Sequence, residues 1–168
     1  TSVKLREKDV FGDELEVLYV KGSGSDLATI DAAGFSPLRL DYVRRLSSLP
    51  RLSDQQMRDA LDTQVLRAEA PFPSVETLLH AIVPHAYVDH THADAVLAIS
   101  NAPQGEQRIR EIYGERVVVI PYLMAGFDLA AHCAREFPRQ AGGKTIGMVL
   151  LSHGIFSFGA SARESYER

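Results

Sequence analysis

Four side chains in this sequence could converge on a metal ion. His90 and His92 are one residue apart, following the short apolar run Ala86-Tyr87-Val88. In a strand, residues i and i+2 point to the same side, so two imidazoles so spaced can aim at one point. His153 ends a second apolar run, Thr145 to Ser152, and is followed by Gly154, which allows the chain to bend there. Glu76 stands upstream in Pro73-Ser74-Val75-Glu76, where a helix is expected to begin. Three imidazoles from two strand ends with a carboxylate nearby describe an open catalytic metal site rather than a closed structural one. Taken singly, each histidine reads most simply as a surface or core residue.

The elements that must position these groups follow from periodicity. Strands are expected at the opening residues, over Glu14 to Lys21, at Ala86 to Asp89, over Arg116 to Pro121, over Thr145 to Ser152 and over Ile155 to Gly159. The spacing predicts helices from Phe35 onward, with Ser36 as N-cap and Pro37 in the first turn, and from Ser53 to about Ala68, opened by a capping box. A third runs from the Ser74 cap to Val83, with Val75, Leu78, Leu79, Ile82 and Val83 as its buried stripe. Glu76 and His80, four apart, share its other face. Further helices are expected over Ala93 to Ser100, Gly105 to Tyr113, Gly126 to Phe137 and from Ser161. Strands, then helices, then strands again suggest a sheet covered by helices. Gly22-Ser23-Gly24-Ser25 follows the second strand and can expose amide N–H groups to an anion, although on its own a polar turn is the simpler reading.

Bulk composition narrows the classes. The chain has 168 residues, 45% hydrophobic and 24% charged, enough for one domain with a sizeable core. A formal net charge of −4 gives no electrostatic case for nucleic acid or an anionic membrane surface. No apolar run approaches the length that spans a bilayer. The single cysteine, Cys133, excludes an internal disulfide and reads as a small buried residue. No basic-then-apolar leader pattern opens the chain, and cytoplasm is the expected compartment. The chain starts on Thr1, in what looks like a strand already under way, so truncation at both ends of one domain spanning 1–168 is expected.

Pro73-Ser74-x-Glu76-x-x-x-His80, Val88-Asp89-His90-Thr91-His92 and Leu151-Ser152-His153-Gly154, with Gly22-Ser23-Gly24-Ser25 before them, resemble the successive motifs of the class II aldolase/adducin family. The resemblance runs the length of the chain. More narrowly, Val20 to Ala28 and Val118 to Ala130 are similar to the aldolase half of bacterial rhamnulose-1-phosphate aldolase/alcohol dehydrogenase fusion proteins. In those a dehydrogenase domain follows, and no Gly-x-Gly-x-x-Gly motif occurs here.

The resemblance implies an α/β fold, a three-layer α/β/α sandwich around a mainly antiparallel sheet. It implies that His90, His92 and His153 hold a divalent metal, most often zinc, and that Glu76 is the general base or proton shuttle. Ser23, Gly24 and Ser74 match phosphate contacts; the position after Ser74, often serine in the family, is Val75 here. The implied substrate is a phosphorylated ketose such as rhamnulose 1-phosphate, cleaved to dihydroxyacetone phosphate and an aldehyde such as lactaldehyde. Relatives are commonly tetramers, so a homo-oligomer is expected. His80 reads as a support for the site. The same residues serve sugar-phosphate epimerases and dehydratases, and adducin-like members keep the fold as a non-catalytic interaction module. Retention of all three histidines argues against the module. A cupin also uses His-x-His, but at least five helix patterns oppose it.

Overall fold

The computed structural model describes Thr1–Arg168, and its centre is one seven-stranded sheet. The strands are β1 Ser2–Lys8, β2 Glu14–Lys21, β3 Phe35–Arg39, β4 Tyr87–Thr91, β5 Val117–Ile120, β6 Gly147–Leu150 and β7 Gly154–Gly159. Their spatial order is β3-β2-β1-β4-β7-β6-β5. Only β5 and β6 run parallel; every other neighbouring pair is antiparallel. The helices are α1 Leu40–Ser47, α2 Asp54–Asp62, α3 Thr77–Ile82, α4 Asp94–Ser100, α5 Gly105–Tyr113, α6 Phe127–Gln140 and α7 Ala162–Glu167.

Strand alternation divides the interior into two cores. Val118, Ile120, Met148 and Leu150 join a 25-residue cluster with side chains of α1, α2, α3 and α6. Their neighbours Val117, Val119 and Val149 point the other way, onto Val96 of α4 and Ile109 of α5. Hence β5 and β6 read as unbroken apolar runs: both faces are covered. The result is the α/β arrangement expected, helices on both faces of a mixed, mostly antiparallel sheet.

Four expectations change. Phe35–Arg39 is a strand, not a helix, and α1 begins only at Leu40. Pro37 fits there because β3 is the sheet's edge, where a residue without N–H costs no ladder bond. Ser36, expected to cap a helix, is wholly buried and donates its hydroxyl to the Pro71 carbonyl. Secondly, α2 carries the capping box at Ser53 and Gln56 but stops at Asp62, short of Ala68. The residues after it run along the edge of β3, with Leu66 N–H donating to the Pro37 carbonyl, and so cover that edge. Thirdly, α3 starts at Thr77, which leaves Val75 exposed rather than in the buried stripe. Fourthly, β6 is only Gly147–Leu150, because the chain turns at Leu151 to His153.

Candidate metal centre and substrate cavity

The site lies where the middle of the sheet meets the start of α3. In β4, Val88 faces the large core, so His90 and His92 lie on that same side, toward α3. His90 Nε2 stands 3.1 Å from His92 Nε2. Glu76 immediately precedes α3 rather than lying within it, and its Oε1 is 3.2 Å from His90 Nε2 and 2.9 Å from His153 Nε2. One ligand atom from each of Glu76, His90, His92 and His153 falls within 4.8 Å of all the others.

His153 reaches this point through the turn between β6 and β7. The left-handed backbone there is at Ser152, with φ of 58°, not at Gly154. Gly154 serves close packing instead. A Cβ on it would come within 2.6 Å of the Thr91 carbonyl, 2.9 Å of the His90 ring and 3.0 Å of the His92 ring.

The ring of His90 is fixed on two sides. Its Nδ1–H donates to the Ile155 carbonyl at 3.0 Å, which leaves the Nε2 lone pair directed at the cluster. Phe156, its cross-strand partner, stacks beneath it at 4.1 Å. Glu76 is subject to opposed effects: burial pushes its carboxyl up, but the His153 and then the His90 imidazole against it prevail and hold it well below the usual carboxylate range. Burial, with His90 and His153 beside it, pushes the His92 imidazole down toward its neutral form.

The donor set fits a divalent cation. Zinc–nitrogen bonds of about 2.0–2.1 Å put tetrahedral ligands about 3.3 Å apart, close to the separations given above. Lone pairs from neutral imidazoles and an ionised carboxylate repel at these distances unless a shared proton or a cation lies among them.

A cavity of about 500 Å³ opens beside the cluster, lined by Glu76, His90 and His92 at one end and by Gly22, Ser23, Gly24 and Ser74 at the other. Thus all three residues expected to meet phosphate do line the cavity that the metal cluster borders. The loop offers less backbone than the sequence suggested: Gly22 N–H donates to the Gly34 carbonyl and Ser23 N–H to the Phe72 carbonyl. What remains is the exposed Ser23 hydroxyl and the turn at Gly24, with φ of 79°. Ser74 Oγ accepts from the Glu76 N–H at 3.2 Å, tying the two ends of the cavity together.

One charged lining residue had no role assigned from sequence. Lys21 ends β2 with its Nζ donating to the Gly22 carbonyl at 3.1 Å, and it brings a cation to the loop end. Its position at a strand end, just before the glycine loop, was the available signal. His80, read from sequence as a support for the site, is buried and bonded to Ser2, with burial pushing its imidazole well down. Cys133 is buried away from the site, its thiol pushed up to about 12 by burial. No helix is long and apolar enough to cross a membrane.

The mixed sheet between helices thus carries a carboxylate and three imidazoles beside a cavity. This chain belongs to the class II aldolase and adducin family, whose N-terminal domain description it matches over residues 1–168. It is similar to the N-terminal class II aldolase domain of a conserved protein from Thermoplasma acidophilum, at 40% identity and a TM-score of 0.90 over 99% of this chain and 76% of that one. It is 40% identical over 168 residues to the uncharacterized oxidoreductase YuxG of Bacillus subtilis (strain 168). That match takes in 100% of this chain but 24% of the relative, so the chain spans about a quarter of that protein's length. An L-fuculose 1-phosphate aldolase shares the fold at a TM-score of 0.58 and 15% identity, over 99% of this chain and 66% of that one.

Proposed function

We propose that this protein is a metal-dependent aldolase that cleaves a ketose 1-phosphate, of the rhamnulose 1-phosphate type, to dihydroxyacetone phosphate and an aldehyde such as lactaldehyde. The observation that carries this reading is the convergence of Glu76 with His90, His92 and His153 at one end of a cavity whose other end is Ser23, Gly24 and Ser74. The three imidazoles would hold the metal, and the nitrogen-rich donor set suits zinc. A divalent cation there supplies Lewis-acid stabilisation where negative charge develops on substrate oxygens.

The chain's own residues do the rest. Ser23 and Ser74 hydroxyls and the Gly24 backbone receive the phosphate, and Lys21 neutralises part of its charge. Glu76 moves the proton at the ketose-derived carbon that carried the broken bond and becomes the hydroxymethyl carbon of dihydroxyacetone phosphate. The imidazole cluster beside it favours the ionised form of Glu76, and burial acts in the opposite sense, raising its basicity.

The likeness to a relative described as an oxidoreductase, of which this chain matches a quarter, supports a full-length product with a dehydrogenase domain beyond this one. We further place the protein in the cytoplasm as a homo-oligomer, with 1–168 as a single domain. The test is a retro-aldol assay of the full-length, metal-loaded protein on a panel of ketose 1-phosphates, following dihydroxyacetone phosphate. Epimerised or dehydrated product without carbon–carbon cleavage would overturn the reading.

A further inference from the structure

His80 borders the site but takes no part in the metal cluster. The residue is 3% exposed, and its Nδ1 bonds Ser2 Oγ at 2.8 Å. Its ring meets the edge of Phe156 at 5.4 Å. Nε2 bonds no protein group, yet no buried side-chain nitrogen or oxygen in the molecule lacks a partner. Nε2 is therefore open, and the space that His80 lines is the substrate cavity.

Hydrogen-bond accounting fixes what this atom offers. Ser2 is also 3% exposed, and its hydroxyl has this one partner. If Nδ1 carried the ring proton, the serine proton would have no acceptor. With the serine donating to Nδ1, both groups are satisfied and the ring proton sits on Nε2. The cavity wall thus carries an N–H donor on a rigid, buried ring.

Its place in the sheet says what it meets. Ser2 lies opposite Val20 on β2 and Val88 on β4. Each is two residues short of a functional end: Val20 of Gly22, Val88 of His90. A ligand that reaches from the loop to the imidazole cluster crosses the seam where His80 is held.

We propose that His80 is a further substrate-binding residue, its Nε2–H donated to a phosphate-ester oxygen of a ligand spanning the Gly22–Gly24 loop and the imidazole cluster. This deepens the aldolase reading and rests on it.

Two isosteric changes separate ligand contact from structural support. His80→Asn places an amide near the Nδ1 position, so it can keep the Ser2 bond but has no donor at Nε2. His80→Gln reaches the Nε2 position and restores a donor there. Calorimetry on the full-length, zinc-loaded protein with dihydroxyacetone phosphate and with phosphoglycolate reads both. Loss of a hydrogen bond to a charged group predicts about 10- to 100-fold weaker binding in His80→Asn and a change within about threefold in His80→Gln. Zinc content is unchanged in both. Wild-type affinity in His80→Asn overturns the proposal, as does equal loss in the two variants or loss of zinc.

Should neither variant fold, Ser2→Ala leaves the ring in place and releases its tautomer. It should weaken binding by about three- to tenfold, and unchanged affinity overturns the proposal. A wild-type protein that binds both anions but cleaves no ketose 1-phosphate defeats the aldolase reading alone, and the Asn–Gln contrast still decides His80. A zinc-loaded wild type that binds neither anion defeats both.

Discussion

The two ends of the cavity are built differently. At the metal end two of the three imidazoles are held by packing, His90 by the Ile155 carbonyl and Phe156 and His153 by a tight turn against Gly154, while His92 stands exposed just past the end of β4. At the loop end Ser23 and Gly24 are exposed, and two of the loop's amides are already spent on other carbonyls. Charge stabilisation and proton transfer tolerate little misplacement, whereas phosphate can be held by several adjustable donors. If the proposed function holds, this division assigns the reaction class to the rigid end and the adjustment of affinity and substrate to the loop end.

The largest effects should therefore come from the rigid end. Glu76→Gln keeps the metal but removes the proton carrier, so exchange of the dihydroxyacetone phosphate proton with solvent should fall about 10²- to 10⁴-fold. Exchange at the wild-type rate, followed by NMR in deuterated buffer, would remove Glu76 from the mechanism. His92→Ala takes out one of three imidazoles, and elemental analysis should show metal dropping from about one per chain to little or none. Retained stoichiometry would move the site elsewhere. Gly154→Ala changes no ligand, but its Cβ would strike the Thr91 carbonyl and both imidazoles of β4. Metal affinity should fall about 10- to 100-fold, the range found when groups that orient ligands are disturbed. Wild-type affinity would mean that the rigid end is softer than its packing implies.

How far the sequence revealed this division depends on range. Alternation put His90 and His92 on one side, and the candidate base Glu76 and candidate ligands His90, His92 and His153 are the group that converges. Local patterns also found β2 and α5 with the bounds they have. Where the sequence misled, a longer-range partner had won. Phe35–Arg39 has helix-start chemistry, but pairing with β2 at the sheet edge claims it. Glu76 looked like a helical residue because the turn at Ser74 mimics a cap; the helix proper waits until Thr77. His80 read as a support for the site, but nothing near it in sequence announces what holds it: Ser2, 78 residues away. Nor could the loop's glycines show that the Gly22 and Ser23 amides were already engaged.

Smaller changes are expected at the loop end. Ser23→Ala removes an exposed hydroxyl worth about 0.5–1.5 kcal/mol as a hydrogen bond. KM for the phosphorylated substrate should rise about three- to tenfold while kcat and metal content hold. A fall in kcat with unchanged KM would show that the loop takes part in the chemistry and would break the division.

The smallest effect tests the seam between the two ends. Strands β1 and β2 pair over seven residues, but β1 and β4 pair only at Ser2–Val88 and Val3–Tyr87. Lys4 extends this short seam with two further bonds, its N–H to the Ala86 carbonyl and its Nζ to the His85 carbonyl at 2.8 Å. Burial, and secondarily the Arg44 guanidinium, push the Lys4 amine down to about 7 from its usual 10.5. The unfolded chain therefore binds more protons than the folded one between pH 7 and pH 10.5. By linkage, stability rises with pH across that window, and the penalty of the buried charge is fully present only below it. Lys4→Met has no proton to lose, so its melting temperature should climb less steeply from pH 7 toward pH 10 than that of the wild type. Parallel profiles would mean that Lys4 keeps its charge in solvent, and that the seam rests on its two strand pairs and the backbone bond alone.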